Sequence, residues 1–468
     1  MSQVFIAAAH KSSGKTLVSI GLCAAYRRRG MPVASFKKGP DYIDPAWLAR
    51  ASGRPCWNLD FFTMGHDEIH SCFHEHCQDA DVTVVEGNKG LFDGLDVEGS
   101  DSNAALAVRL GLPVILVIDV TGITRGIAPL LAGYTGFDPD VHIVGVILNR
   151  VAGPRQESKL RAAIERYSDL PVLGAIGRVP GLGIEERHLG LVPGNEDPDA
   201  LARIDQIADV VEAGVDLDAV LALTAHRQDA VVARSATPPA LSSSKDRPVR
   251  IGIARDRAFG FYYPDDLAAF KQAGAELIPF DTLEDKRLPQ LDGLFIGGGF
   301  PECFLEPLSA NTRLREEIKA FIEDGGPTYA ECGGLMYLSR SIAWQDKKLP
   351  MVGVIPGDTK MWERPVGRGY MRFRATPDHP WPDVRATAGL MYNVHEFHYS
   401  SLEEIESPLT TAYAVERGHG LDGARDGIHM HNLLATYAHQ RHVAANPWVN
   451  AFVNFVRAQK TESRAQDC

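Results

Sequence analysis

The chain reads as an α/β protein of two successive domains, each a mainly parallel sheet covered by helices. Three observations point there. Short apolar, β-branched runs recur through the first half, at 3–8, 32–36, 81–85, 113–119, 141–148 and 171–176. Helix-like stretches separate several of them, and strand–helix alternation is the pattern of a parallel sheet. Residues 236–247 (ATPPALSSSKDR) then break the pattern with Pro, Ser and charge, and a fresh series opens at 249–254 and continues through 275–280, 293–296 and 327–330. The expected organisation is a first domain over 1–235, a linker over 236–247 and a second domain over 248–460, with 459–468 reading as a polar tail.

Composition narrows the class. Hydrophobic residues make up 45% and charged residues 23% of the 468 positions, which is ordinary for a globular protein and excludes a disordered chain. A formal net charge of −12 argues against nucleic acid or an anionic membrane as partner. An anionic substrate would need basic groups gathered in one pocket. The opening apolar run to Ala9 has no basic leader and reads as a first strand, and 112–118 (LPVILVI) is too short to span a bilayer. Seven scattered cysteines in so large a chain suggest reduced thiols, hence a cytoplasmic protein.

The first helix-like stretch, 15–29, ends in Arg27-Arg28-Arg29-Gly30, which suits a helix C-terminus. Directly before it, 9–16 reads AHKSSGKT after the first strand. A nucleoside triphosphate needs backbone N–H groups around its phosphates, a lysine beside them and a hydroxyl on Mg²⁺. Gly14 supplies the tight turn, with Ser12 and Ser13 in the loop itself. Lys15 supplies the charge and Thr16 the metal ligand. Ala9 replaces the first glycine of the G-x-x-x-x-G-K-[ST] pattern.

Two further polar clusters follow apolar runs. In 36–45 (FKKGPDYIDP), Lys37 and Lys38 are adjacent, and Asp41 and Asp44 follow around a turn. In 86–94 (EGNKGLFDG), Glu86 at the strand end is placed as a direct or outer Mg²⁺ ligand, and the glycines permit close backbone approach. Each cluster alone reads equally well as a solvated loop. Three at strand ends of one domain favour a ligand site. The stretches 99–103 (GSDSN) and 121–126 (TGITRG, with Arg125) are open to carboxylate or ribose binding, or are plain loops.

Residues 66–77 (HDEIHSCFHEHC) place His66, His70 and His74 on one helical face, a spacing Zn²⁺ accepts. Cys72, His76 and Cys77 fall on other faces, and no second cluster completes a metal pattern. An exposed His-rich helix is the expectation.

The second half carries a nucleophile signature. In 327–336 (PTYAECGGLM), an apolar run leads into Glu331-Cys332-Gly333-Gly334, with a helix-like LMYLSRS behind it. A cysteine on a sharp strand-to-helix turn is accessible, and the helix start favours its thiolate. The glycines allow the strained turn and free N–H groups for an oxyanion, with Gly297-Gly298-Gly299 as a second donor source. Cys303 is a rival nucleophile without a glycine turn. A histidine base is expected, and His395, His398, His419, His429, His431, His439 and His442 are all open to that role. His439 follows the strand-like NLLATYA, which would fix its position.

These parts together resemble the cobyrinic acid a,c-diamide synthase family of glutamine amidotransferases over nearly the whole chain. The matching landmarks are SSGKT at 12–16, KKGPDYIDP at 37–45, EGNKGLFDG at 86–94, GVILNRV at 145–151 and ERHLGLVP at 186–193. They continue with AFGFYYPDDL at 258–267, GGGFPE at 297–302, AECGGLMYL at 330–338, HEFHYS at 395–400 and TYAH at 436–439.

The resemblance implies an N-terminal P-loop domain, like dethiobiotin synthetase, that binds MgATP and a tetrapyrrole polycarboxylate. It implies a C-terminal class I glutaminase domain in which Cys332 forms the glutamyl thioester from L-glutamine and His439 is the base. Ser12, Ser13, Gly14, Lys15, Thr16, Lys38 and Asp41 would then bind the nucleotide, with Thr16, Asp41 and Glu86 on Mg²⁺. Where many class I glutaminases carry a glutamate two residues after the histidine, this chain has Arg441, so the third member of the triad is absent or comes from elsewhere.

The implied reaction is ATP- and glutamine-dependent amidation of the a- and c-acetate groups of cobyrinic acid. EGNKG, GSDSN and TYAHQR also resemble a branch thought to amidate sirohaem. A reading of another class is a P-loop regulatory ATPase with an inactive glutaminase. The oligomeric state stays open, a homodimer included.

Overall fold

The computed structural model describes residues 1–179, 186–187, 190–225 and 248–466. The linker expected over 236–247 lies outside the described residues, as do residues 188–189 of the ERHLGLVP segment. The chain divides into two compact units, one of Met1–Phe61 with His66–Ser235, the other of Phe62–Gly65 with Ala236–Cys468. No helix among the described residues is long and apolar enough to cross a membrane.

In the first unit, the described residues build a seven-stranded sheet, every pairing parallel. Its order is Cys56–Leu59, Val33–Lys38, Val82–Glu86, Ser2–Ala8, Val114–Asp119, Ile143–Val151, Val172–Gly177. Strand Ser2–Ala8 is buried along its whole length, as an apolar strand covered on both faces must be. Helix Lys15–Arg28 packs on Ala200–Gly214 so closely that a Cβ on Gly21 would meet Val211 Cγ2 at 2.2 Å. The basic residues at its end are used: Arg28 pairs with Asp205 and Asp209 at 2.9 and 2.7 Å. Chain order reverses around Ser2–Ala8, and in such sheets ligands bind beyond the carboxyl ends of the strands at that reversal. The loops after Ser2–Ala8, Val33–Lys38 and Val82–Glu86 all leave at that edge.

The second unit has a nine-stranded mixed sheet. Its parallel half runs Ala275–Phe280, Val249–Ala254, Gly293–Ile296, Thr328–Glu331, Leu433–Thr436. Its antiparallel half continues with Arg425–Met430, Thr410–Arg417, Gly367–Ala375 and Met391–His398. A smaller sheet joins Lys347–Pro350, Ser339–Trp344, Ile355–Met361 and Ser400–Glu403.

Two local expectations change. LMYLSRS is helical only to Leu338, because Ser339 begins a strand. The polar tail expected from 459 is instead the end of helix Trp448–Gln466. The first turns of that helix bury Trp448, Val449, Phe452 and Val456, and Lys460 ties the later part to Asp292 at 2.6 Å.

Candidate active sites

The first candidate site lies where three parallel strands end. The loop after Ser2–Ala8 turns through Ser12 at φ 64° and Gly14 at φ 96° before helix Lys15–Arg28 begins. Glycine adopts this region freely and serine rarely does. Buried Ser13 donates its hydroxyl to the His10 carbonyl at 2.8 Å, and the Asn149 amide donates to the Ser13 carbonyl at 2.9 Å. The helix start offers N–H groups and Lys15 to an anion. Burial and then neighbouring Lys37 bring the Lys15 ammonium down to about 8, against Glu86 and Asp44, which raise it.

Thr16 donates to Glu86 Oε1 at 2.8 Å and lies 3.4 Å from Asp44 Oδ2. Lys37, only 2% exposed, reaches the same carboxylates, at 2.5 Å from Asp44, 2.7 Å from Glu86 and 3.8 Å from Asp41. Sheet register explains this contact, since Lys37 stands opposite Glu86 between their paired strands. Burial alone would lower the Lys37 ammonium, but Asp44, Glu86 and Asp41 hold it above its ordinary value.

Thr16 and Glu86 therefore come together at one point, and Asp44 joins them. Asp41 stands at the rim, its Oδ1 accepting the Ile43 N–H at 2.9 Å. Lys38 is buried apart from this pair of carboxylates, among the charges of Asp101, Asp60 and Lys89, and burial lowers its ammonium. Lys37 and Asp44, which the sequence names without assigning, hold the centre. One hydroxyl and two carboxylates form a hard-oxygen set of the kind Mg²⁺ takes. Glu86 Oε2 receives no hydrogen bond among the described residues.

Neighbouring motifs have structural work. The Asn103 amide donates to the Gly90 carbonyl at 2.8 Å and its oxygen accepts the Asn88 N–H at 3.2 Å, which pins the 87–90 loop. Ser102 caps helix Asn103–Leu110. Arg125 donates to the Tyr167 hydroxyl at 3.2 Å. On helix His66–Cys77, Ile69, Cys72, Phe73 and Cys77 form the buried face and His76 stacks on Trp57 at 3.4 Å. No group of three His, Cys, Asp or Glu side chains gathers for a metal among the described residues.

The second candidate site is the turn at Cys332, held at φ 46°, ψ −100° between strand Thr328–Glu331 and helix Gly333–Leu338. Both following glycines are required by space. A Cβ on Gly334 would stand 2.1 Å from the Ile296 carbonyl, and one on Gly333 would stand 2.7 Å from that of Gly299. The turn thus lies directly against the 297–299 glycine run. Cys332 is not the accessible thiolate its turn suggests: it is buried, and burial, with Glu302 and Glu331 nearby, pushes the thiol up, while the Gly333 N–H works against them. A thiol in that state needs a base to take its proton.

The histidine expected as base is His439. A Cβ on Gly298 would sit 2.6 Å from its Cε1, so the imidazole lies on the same glycine run. Its backbone N–H donates to the His395 carbonyl at 2.7 Å, and the two rings stack with centroids 5.0 Å apart. Burial first, then the charge of His398, push His439 down to about 3, which keeps it neutral and able to accept. Burial raises the Glu331 carboxyl to about 8. Of the other histidines, His398 stacks on Tyr437 at 4.0 Å and lies 3.5 Å from Glu396. Cys303 lies on the short turn Pro301–Phe304, without a strained backbone.

Comparison with known proteins agrees with both halves. A family described as CobB/CobQ-like glutamine amidotransferase domain matches residues 250–447, and an AAA domain family matches 63–186. A Magnetococcus marinus protein named cobyrinate a,c-diamide synthase is 47% identical over 466 residues, covering 99% of this chain and 98% of its own length. Proteins of the same name from Methanosarcina acetivorans and Archaeoglobus fulgidus are each 39% identical. They cover 94% and 98% of this chain, and 93% and 98% of their own lengths.

Proposed function

The chain belongs to the cobyrinate a,c-diamide synthase family, and from that premise we propose that it amidates the a- and c-acetate carboxylates of cobyrinic acid, with glutamine as nitrogen donor and ATP as activating substrate. The full-length likeness to synthases of that name carries the reading, because it takes in the strained cysteine turn and the phosphate-type loop together.

A carboxylate does not yield to ammonia directly, since oxide is a poor leaving group. Attack of a carboxylate oxygen on the γ-phosphorus of ATP releases ADP and leaves an acyl phosphate. Ammonia then attacks the acyl carbon and phosphate departs. Lys15 and the N–H groups of the 12–16 loop hold the phosphates while charge moves between them. Thr16, Glu86 and Asp44 would hold Mg²⁺, with Asp41 at its rim. Bound there, the ion would neutralise charge on the phosphoryl oxygens. Lys37 balances the same carboxylates from the opposite strand.

Nitrogen comes from the second unit. Cys332 attacks the glutamine amide carbon, its proton passes to His439, and that proton leaves with ammonia as the C–N bond breaks. Water, giving a proton to His439, then cleaves the glutamyl thioester and releases glutamate and the free thiol. Gly333 and the 297–299 run offer N–H groups to the oxyanion. Mass spectrometry of cobyrinic acid incubated with ATP and glutamine tests the whole reading. It should show a loss of about one mass unit for each acid converted to amide. ATP hydrolysis without amide product would leave a nucleotide-driven switch in its place, and conversion of sirohaem alone would move the substrate.

A further inference from the structure

We propose that Glu331 is the positioning carboxylate for His439, so that the residue immediately before the nucleophile supplies the group that is missing after the histidine. This rests on the reading of Cys332 and His439 as nucleophile and base. Two residues beyond His439 stands Arg441, and it is engaged elsewhere, pairing with Asp265 at 2.9 Å. The Glu331 Oε2 atom lies 3.7 Å from His439 Nδ1, and both side chains are no more than 3% exposed.

The geometry around this carboxylate is built. Tyr329 and Glu331 alternate on one strand and so share a face. The Tyr329 hydroxyl donates to Glu331 Oε1 at 2.7 Å, and the Gln440 backbone N–H donates to the same oxygen at 2.8 Å. The Gln440 side chain in turn donates to the Tyr329 hydroxyl at 2.8 Å and accepts from Asn446 at 3.1 Å. One oxygen is fixed by two donors, which leaves the other towards the imidazole.

Two of the neighbouring carboxylates are committed. Asp426 accepts from Thr436 at 2.6 Å and from the Ala438 N–H at 3.0 Å, and Glu396 accepts the His419 and Gly420 N–H groups at 2.7 and 2.9 Å. Held in this way, Glu331 Oε2 fixes the imidazole through Nδ1 while the far ring nitrogen takes the thiol proton. At 3.7 Å the two atoms stand at ion-pair distance.

The test compares Glu331→Gln and Tyr329→Phe with the parent chain in glutamine-driven and ammonium-driven amidation. The account expects kcat with glutamine to fall at least about tenfold in Glu331→Gln, with KM for glutamine unchanged. It expects a smaller fall of the same kind in Tyr329→Phe, and ammonium-driven turnover intact in both. An unchanged kcat overturns the proposal. So does a fall in kcat tied to a raised KM and a lowered melting temperature, which would make Glu331 a packing residue. Cys332→Ser run alongside separates the two failures. If it loses glutamine use while Glu331→Gln keeps it, only the role of Glu331 falls.

Discussion

At the scale of single residues, the two sites differ in how much of them the sequence carries. Cys332 is legible because two glycines follow it directly, and the structure gives the reason: neither position has room for a Cβ. Lys37 is not legible beside Lys38, since only strand register decides which of two adjacent lysines meets Glu86. Asp44 is hidden for a related reason, as Asp41 and Asp44 flank one turn and no spacing rule ranks them. Gly298 tests the placement of His439. A Gly298→Ala methyl would fall 2.6 Å from the imidazole and push it aside. Glutamine-driven kcat should then drop by about tenfold or more, with ammonium-driven turnover kept, because misplacing a catalytic group by a fraction of an ångström is costly. Equal glutamine turnover in the variant would contradict the placement.

Among the elements, the parallel strands are legible from their unbroken apolar, β-branched runs, the mark of burial on both faces. The antiparallel half of the second sheet is carried by a different pattern. In Gly367–Ala375, Met371, Phe373 and Ala375 are buried while Arg372 and Arg374 are exposed, a two-residue alternation that a search for apolar runs passes over. The C-terminal helix is hidden by its polar second half, although its first turns are buried. The 9–14 loop depends on a neighbouring strand, because Asn149 at the end of Ile143–Val151 holds the Ser13 carbonyl. Asn149→Ala should loosen that loop. One lost hydrogen bond of roughly 0.5–1.5 kcal/mol raises KM for ATP by about twofold to twelvefold. KM for glutamine should stay unchanged. An unaltered KM for ATP would remove Asn149 from the support of the loop.

For the whole molecule, buried ionisable groups of the second unit set a pH window. Burial pushes His379 and His439 down to about 3 from the ordinary 6.5, so each favours the folded state only while neutral. Stability from a depressed histidine is full above the unfolded value and is lost as pH falls from 6.5 towards the folded one. Glu331 acts in the opposite sense. Its carboxyl, raised to about 8, adds stability that is full below its ordinary 4.5 and fades as pH rises through 8. Between pH 6.5 and about pH 4.5 each of these histidines takes away roughly 2 kcal/mol, and Glu331 returns a similar amount. In thermal unfolding the effect is therefore read as the difference in slope between the parent and a histidine variant. His379→Gln should make that slope shallower. An identical slope in His379→Gln and the parent would mean this imidazole is not buried as described.

The central claim is that one chain joins a thiol that frees nitrogen from glutamine to a phosphate-binding loop that activates an acid to receive it. The direct measurement is amide formation on cobyrinic acid by Cys332→Ser and Lys15→Ala, each supplied with ATP and either glutamine or an ammonium salt. The account predicts that Cys332→Ser fails with glutamine and works with ammonium, and that Lys15→Ala fails with both. Glutamine-driven amidation by Cys332→Ser, or ammonium-driven amidation by Lys15→Ala at the parent rate, would contradict it.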